Sequence, residues 1–434
     1  MAKTLIKNCI LVPVDPELPQ DGPLFYAGEI AVDGAEIVHV GPPGTTAADF
    51  KPDRVIDGAG QVALPGLINA HTHAAMTLFR GYADDLPLME WLNNRIWPLE
   101  AKLTPEDIYW GTKLAILEML KAGVTAFADM YFAVDRVAEA VCESGIRASL
   151  ARGLIGGEKG EAALAEAETL LAQWRGRGEG RLTFMFGPHA PYTCPPEYLG
   201  RVAEKAKEYG VGLHIHLAET QAEVEDIKRR YGKRPVELVH EVGLFEVPVL
   251  AAHCVHLEPQ EIEILQEKGV AVAHNPESNM KLASGIAPVP EMLAKGVTVA
   301  LGTDGAASNN NLELFGEMRS AALLHKVAKM DPTALNAYQV LQMATVNGAQ
   351  ALGLDRVGSL KAGYKADLIL VNFHQPHLHP HHDIIAHLVY AAQPGDVSLV
   401  MVDGEVLVEN GRVLTMDEEE VYAKVKECVA RITG

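Results

Sequence analysis

In the middle of the chain, short apolar runs alternate with amphipathic segments. Several of these segments repeat apolar positions at helical spacing and end in glycine, as helices commonly do. Between them lie eight nearly continuous apolar runs: LPGLINAH, VTAFADM, RASLARG, LTFMFGPH, GLHIHLAE, VLAAHCVH, VAVAHNP and VTVALGTD. This pattern predicts a parallel α/β sheet covered on both faces, and eight units predict a closed (β/α)8 TIM-type barrel. A doubly wound open sheet is the alternative, but no GxGxxG follows a predicted strand.

Both ends of the chain have a different texture, with short Val/Ile-rich runs broken by Gly, Pro and Asp-Gly turns. Asp403-Gly404 and Asn410-Gly411 are typical of hairpin turns. We therefore predict that residues 1–60 and 356–434 form one small β-sandwich domain around a barrel domain of residues 61–355. Two unrelated β caps are the alternative. The histidine-rich tract HQPHLHPHHD, residues 374–383, follows the barrel and is rich in Pro, which favours a connecting loop over a surface metal site.

Composition narrows the possible partners. The 434 residues carry a formal net charge of −20, which argues against a nucleic-acid backbone as partner. Five cysteines without a CxxC spacing indicate a reducing compartment, so we expect a cytoplasmic protein. No apolar run approaches the about 18 residues that a membrane-spanning helix needs. A small-molecule partner is expected, and the edge of the sandwich leaves pairing into a homo-oligomer open.

Polar residues recur at or just after the carboxyl ends of the predicted strands. In a barrel these ends form one face, and that face carries the active site. A barrel without a site has no reason to place such residues there in nearly every unit. The residues are His73, Asp129, Arg152, His189, His216 with Glu219, His253, His274 and Asp304.

Two histidines, His71 and His73, end the first run and point the same way because alternate residues of a strand share a face. HxH alone also arises by chance in a chain with 17 histidines. Together with His216 and Asp304 they give three nitrogens and one carboxylate, a set that fits a catalytic zinc or iron with a place left for water. His214 has the same parity as His216 and is a further possible ligand.

Candidate acid and base groups accompany these ligands. Glu219 follows His216 by three residues and fits a general acid/base, although a solvated Glu at a helix start is the plain alternative. His253 fits a residue that orients or deprotonates water, and His189 fits a hydrogen-bond donor to a ligand. Asp304 fits both a ligand and a proton acceptor. This equipment indicates hydrolytic attack on an electrophilic carbon and leaves amide, amidine and halide leaving groups open.

The motifs PGLINAHTH, HIHLAE, AAHCVH, HNPESNMKLASG and LGTDGAASNNN occur in this order along the chain. This set resembles the amidohydrolase superfamily, and within it the 5-methylthioadenosine/S-adenosylhomocysteine deaminases. The resemblance implies one zinc per subunit, held by His71, His73, His216 and Asp304, although another divalent metal stays open. It also implies that Glu219 protonates the purine ring while His253, with Asp304, activates water, so that ammonia leaves and the inosine analogue forms.

The same resemblance implies substrate contacts. It assigns Glu100 to the ribose hydroxyls, Arg152 to the tail of the ligand, His189 to a substrate contact and Ser308 to the wall of the site. Some relatives carry a second Arg in the loop after the third strand, whereas here Lys159 is the only basic residue between Arg152 and Arg175. The shorter methylthio substrate is therefore favoured over S-adenosylhomocysteine, and adenosine stays open.

Two other readings compete with this one. The first is a related hydrolase that acts on another nucleobase or a triazine, such as guanine, an oxopurine, cytosine or a chlorotriazine. The second is a barrel that has lost activity, which a missing ligand or acid would support; none is missing. Residues 89–98, MEWLNNRIWP, contain two tryptophans and are expected to cover the site. The sequence leaves open whether this segment moves.

Overall fold

The structure is a computed structural model that describes residues 2–17 and 23–434. It contains an eight-stranded sheet and a nine-stranded sheet. The strands are β1 (Lys3–Leu11), β2 (Tyr26–Asp33), β3 (Glu36–Gly41), β4 (Arg54–Asp57), β5 (Gln61–Pro65), β6 (Leu67–Thr72), β7 (Val124–Tyr131), β8 (Arg147–Leu154), β9 (Leu182–Pro188), β10 (Gly212–Leu217), β11 (Val249–His253), β12 (Ala271–His274), β13 (Val299–Leu301), β14 (Leu368–Asn372), β15 (Val397–Val402), β16 (Glu405–Glu409) and β17 (Arg412–Val413).

Helices cover the eight-stranded sheet and fill the connections. They are α1 (Leu88–Trp91), α2 (Trp97–Glu100), α3 (Pro105–Lys121), α4 (Val134–Ser144), α5 (Gly160–Trp174), α6 (Pro196–Tyr209), α7 (Gln221–Tyr231), α8 (Pro235–Glu241), α9 (Pro259–Glu267), α10 (Pro276–Lys281), α11 (Val289–Ala294), α12 (Leu314–Lys329), α13 (Ala337–Met343), α14 (Val346–Ala351), α15 (Ile384–Tyr390) and α16 (Glu418–Thr433). A π-helical turn, Leu92–Ile96, joins α1 to α2. In the described ranges, no helix is both long and apolar enough to cross a membrane.

The eight-stranded sheet is parallel and runs in chain order from β6 to β13, one strand for each apolar run of the sequence. Its strands are almost entirely buried, which explains why they read as continuous apolar runs. The first and last strands meet where the Asp304 backbone N–H donates to the His71 carbonyl at 2.9 Å. The predicted (β/α)8 barrel is therefore confirmed.

The nine-stranded sheet, which we call the terminal sheet, is built from both ends of the chain. Strand β5 pairs with β1 on one side and with β14 on the other. The terminal sheet has an apolar core of its own, which confirms a separate β unit made from both termini. Residues 61–65 lie in this sheet and the barrel begins at Leu67, so these five residues lie outside the barrel; the domain limits themselves stay a prediction.

Local signals in the sequence account for the ends of several elements. Thr104 begins α3 in a capping box with Asp107, and α4 ends at Gly145 with a φ of 79°. The predicted hairpin turns join β15 to β16 and β16 to β17, with positive φ at both residues of each turn. The histidine-rich tract 374–383 is a connection that leads into α15, as predicted.

Candidate active site

A cavity of about 610 Å³ opens where the barrel strands end. Its polar wall contains Glu100 and Ser308 together with most of the residues that the sequence placed at strand ends. Its outer wall is apolar. The lining includes His73, His189, His216, Glu219, His253 and Asp304, and further out Leu88, Trp91, Trp97, Leu103, Ile108, Phe132 and Ile155. The barrel therefore brings the predicted acid, base and ligand residues to one site.

Four side chains converge at the floor of the cavity. His73 Nε2 lies 3.2 Å from His216 Nε2. Asp304 Oδ1 lies 3.4 Å from His71 Nε2 and 3.3 Å from His73 Nε2. Two donors in a tetrahedral zinc site, each at its usual bond length, lie about 3.4 Å apart. These three distances fit a single metal ion of this kind. The side chains close enough to share an ion form two groups that have His71 in common, one with His73 and Asp304 and the other with His216 and His253. We call the four residues predicted as ligands, His71, His73, His216 and Asp304, the donor group.

The tautomers of the donor group agree with metal binding. His73 donates from Nδ1 to the Met130 carbonyl at 2.7 Å, and His216 donates from Nδ1 to the His189 carbonyl at 2.8 Å, which leaves Nε2 of each ring free to ligate. His71 Nε2 is buried and has no hydrogen-bond partner among the described residues. Because this nitrogen lies 3.4 Å from Asp304 Oδ1, its lack of a hydrogen-bond partner fits the role of a metal ligand.

Burial and charge set the protonation of these rings. Burial lowers the pKa of His71 to about 4 and that of His216 well below its usual range, so both are neutral, as ligands must be. Burial alone would also lower the pKa of His73, but the Asp304 carboxylate raises it to about 9. The pKa of Asp304 is held well below its usual range by His71 and His73, against the effect of burial. Metal binding is therefore expected to release a proton from His73.

Asp304 is held by several hydrogen bonds. Its Oδ2 accepts from the Ser278 hydroxyl at 2.7 Å and from the Ser308 hydroxyl at 2.8 Å. Its Oδ1 accepts from the Gly305 backbone N–H at 2.8 Å and faces the imidazoles of the donor group. Ser308 was predicted from the sequence as part of the wall, whereas Ser278 was not predicted.

His253 and Glu219 face each other beside the donor group, with His253 Nε2 3.8 Å from Glu219 Oε2. His253 donates from Nδ1 to Asn279 Oδ1 at 2.9 Å, so its Nε2 is the proton acceptor on the cavity side. Burial raises the pKa of Glu219 above its ordinary value, which favours a carboxyl that holds a proton. Glu223 accepts from the backbone N–H of Glu219 at 2.8 Å and fixes this turn.

One short segment touches all three of these catalytic candidates. Ser278 bonds Asp304, Asn279 bonds His253, and the Ser284 hydroxyl lies 3.4 Å from Glu219 Oε1. The segment begins in the motif HNPESN, where the sequence singled out His274 alone. We call residues 278–284 the support segment.

The predicted substrate contacts differ in where they lie. Glu100 lines the cavity, and the Tyr131 hydroxyl donates to its Oε1 at 2.7 Å. His189 also lines the cavity and bonds Thr193 Oγ1 through Nδ1 at 2.9 Å. Arg152 is not among the described residues that line this cavity.

The Arg152 guanidinium lies instead behind the cavity wall. It pairs with Glu166 at 3.0 Å and lies 5.1 Å from the centre of the Phe132 ring, whereas Phe132 itself lines the cavity. Its predicted contact with the ligand stays a prediction.

Other histidines and carboxylates from the sequence have different positions. His214 bonds His71 and lies outside the donor group. His274 lies 3.3 Å from His325, nitrogen to nitrogen, in the interior. Asp129, one of the strand-end residues of the sequence analysis, accepts from the Ala74 backbone N–H at 2.6 Å and does not line the cavity described above.

Comparisons with known proteins agree with this geometry. Residues 62–407 match the model of the amidohydrolase family. The chain is 58% identical over 427 residues to a 5-methylthioadenosine/S-adenosylhomocysteine deaminase of Moorella thermoacetica, with 98% of each chain covered. It is 57% identical over 428 residues to the protein of the same name from Pelotomaculum thermopropionicum, with 98% of this chain and 99% of the relative covered.

A solved structure has the same fold over nearly the whole chain. An adenosine deaminase from Xanthomonas campestris with bound zinc superposes with a TM-score of 0.94 at 37% identity, covering 99% of this chain and 98% of that one. Fold, donor group and motifs agree with these matches. The chain belongs to the amidohydrolase family, in the group that contains the curated 5-methylthioadenosine/S-adenosylhomocysteine deaminases.

Proposed function

We propose that the chain is a zinc-dependent hydrolytic deaminase that converts 5-methylthioadenosine, S-adenosylhomocysteine or adenosine to the inosine analogue and ammonia. The observation that carries the proposal is the pair Glu219 and His253, which face each other beside the donor group in one cavity. The names of the relatives supply the substrate class, and the cavity supplies matching chemistry. Overall, a C6–O bond forms from one water, the C6–N bond breaks, and the amino nitrogen leaves as ammonia.

The metal part of the proposal is one zinc ion held by His71, His73, His216 and Asp304. Bound zinc acts as a Lewis acid and makes water a nucleophile at neutral pH. The spacing of the donor group and the unpartnered Nε2 of His71 support this assignment. The zinc in the related Xanthomonas structure supports the choice of ion.

Three side chains move protons in this scheme: Glu219, His253 and Asp304. Glu219, whose protonated form is favoured because burial raises its pKa, gives a proton to N1 of the purine while water adds to C6. His253 accepts a proton from that water through Nε2, since its Nδ1–H is committed to Asn279. Asp304 holds its orientation through Ser278 and Ser308 and takes part in accepting the water proton.

The rest of the cavity supports a nucleoside rather than a free base as the substrate. Glu100 is a carboxylate on the wall that matches a pair of ribose hydroxyls, and Tyr131 holds one of its oxygens, which leaves the other for the sugar. The apolar outer wall, with Trp91, Trp97 and Ile155, suits an uncharged 5′-substituent such as a methylthio group.

Two features support the proposed location and substrate class. All five cysteines are free thiols in the structure, which supports a cytoplasmic location. The net charge of −20 supports a small-molecule substrate over a nucleic acid. We place the enzyme in the cytoplasm, off the membrane, and leave a homo-oligomer as an expectation to be measured.

The test is a spectrophotometric deamination assay on zinc-loaded protein with 5-methylthioadenosine, S-adenosylhomocysteine, adenosine and adenine, each supplied separately. We expect turnover of the nucleosides, little turnover of adenine, and turnover about 100- to 10,000-fold slower with Glu219→Gln. No turnover of any nucleoside by zinc-loaded protein would overturn the proposal. A triazine such as atrazine would then be tried, since an atrazine chlorohydrolase from Arthrobacter aurescens superposes with a TM-score of 0.90 at 29% identity, covering 98% of this chain and all of that one.

A further inference from the structure

His214 is a buried histidine for which neither the donor group nor the proposed reaction has a use. It lies on β10, two residues before His216, so both side chains point to the inside of the barrel. Its side chain has no exposed surface. Its Nε2 lies 2.8 Å from His71 Nδ1, and the two rings meet edge to face with their centres 4.9 Å apart.

The hydrogen bonds of the other two imidazoles show what this contact does. His73 and His216 each donate from Nδ1 to a backbone carbonyl, which turns Nε2 towards the shared centre. His71 also has Nε2 at that centre, so its proton belongs on Nδ1. The acceptor for that proton is His214 Nε2, the one side chain that serves a donor-group ring in this way among the described residues.

His214 is well placed to fix His71 and badly placed to bind the metal itself. The nitrogen of His214 nearest to the donor group is already shared with His71 Nδ1, on the side of that ring away from Asp304. The groups of side chains close enough to share an ion include His71 and leave out His214. The sequence suggested His214 as a ligand because it has the same parity as His216; the geometry assigns it a different role.

We propose that His214 is a positioning residue of the metal centre. By accepting the Nδ1 proton of His71, it fixes the tautomer and ring orientation of that ligand and so strengthens zinc binding. This inference rests on the proposed zinc site, but it concerns metal affinity and needs no measurement of deaminase activity. Partners of ligating histidines elsewhere are worth about 10- to 100-fold in metal affinity.

The experiment measures the zinc dissociation constant of purified apo-protein by competition with a chromophoric chelator. His214→Leu removes the acceptor and is expected to weaken zinc binding about 10- to 100-fold. His214→Gln keeps an acceptor oxygen near the position of Nε2 and is expected to stay within about threefold of wild type. The control is His325→Leu, which removes another fully buried imidazole that contacts His274 rather than His71.

The outcomes are distinct. Equal losses of zinc affinity in His214→Leu and His325→Leu would show a general packing effect and overturn the proposal, as would a loss in His214→Gln equal to that in His214→Leu. If His214→Leu does not fold, His214→Asn replaces it, because its amide stops one methylene short and is expected to bind zinc more weakly than His214→Gln. If the wild-type protein binds zinc tightly but deaminates no nucleoside, the proposed function is refuted and the proposed role of His214 is not.

Discussion

The hydrogen bond from Tyr131 to Glu100 offers a direct test of the proposed ribose contact. The Tyr131 hydroxyl donates to Glu100 Oε1 at 2.7 Å, on the wall of the cavity. Tyr131→Phe removes this donor and nothing else from a ring that is almost fully buried. Glu100 then loses the contact that holds one of its oxygens in place.

The size of the effect follows from the kind of bond. A hydrogen bond to a charged group contributes about 1.5–3 kcal/mol. If the carboxylate binds the ribose in the transition state, the loss in kcat/KM for 5-methylthioadenosine is about 10- to 150-fold. Because the loss concerns binding, it is expected mainly in KM.

The pH dependence of this loss has a definite sign. Burial raises the pKa of Glu100, and the Tyr131 hydroxyl counteracts this effect. Without that hydroxyl the pKa of Glu100 rises further, and the carboxylate fraction falls as pH falls through it. The increase in KM caused by Tyr131→Phe is therefore expected to grow towards acid pH.

The assay compares two substrates and two variants. With 2′,3′-dideoxyadenosine, which lacks the 2′- and 3′-hydroxyls that Glu100 is proposed to bind, Tyr131→Phe should change kcat/KM little. Tyr109→Phe serves as a matched control, because Tyr109 also donates to a glutamate, Glu143, but lies outside the cavity lining. Equal losses on 5-methylthioadenosine and on the dideoxy substrate would refute a Glu100 that binds ribose.

Three further predictions concern the chemistry and the metal. Glu219→Gln is expected to lower kcat about 100- to 10,000-fold with little change in KM, because an amide does not deliver a proton. Steady-state kinetics measure both constants. A loss in kcat below tenfold would exclude Glu219 as the proton donor. In wild type, kcat/KM is expected to fall as pH rises through the raised pKa of Glu219, and this basic limb should be absent from any residual activity of the variant. Removal of zinc is expected to lower the unfolding temperature by about 4 °C if the free ion was at about 1,000 times its dissociation constant. Calorimetry measures this shift. The same unfolding temperature with and without zinc would contradict a metal in the barrel.

The sequence was sufficient to predict which residues meet where the order and direction of the strands alone decide their positions. Parallel strands end on one face of a barrel, so residues such as His73 and Asp304 were expected to meet although 231 positions separate them. The buried strands of the barrel carry a simple signal, a continuous apolar run closed by a polar residue. For Glu219 and His253, strand-end position also predicted the shared cavity that the structure shows.

The sequence was not sufficient where contacts depend on side-chain direction. Tyr131 and Ser278 are ordinary residues in their segments. Their hydrogen bonds to Glu100 and Asp304 arise only when the end of β7 meets α2 and when α10 meets the segment after β13. The alternation of side chains along a strand placed His214 on the same face as His216. It does not show that His214 Nε2 contacts Nδ1 of His71, whereas the nitrogen of His71 that lies at the donor group is Nε2. The polar motif HNPESN at the end of a barrel strand is the signal from which the support segment could have been found, but the sequence analysis singled out only His274 in it.

The position of β5 has a consequence for the order in which the protein is assembled during synthesis. Strand β5 leads within two residues into β6, which carries His71 of the donor group, yet its neighbour β14 is made about 300 residues later. At ribosomal rates of about 5–20 residues per second, one edge of β5 waits about 15–60 s for its partner. All four residues of the donor group have been synthesised by then, so they are present before the terminal sheet closes. A nascent chain arrested near residue 360 is the species in which an open strand edge and a finished donor group coexist, and it is the one most in need of a chaperone.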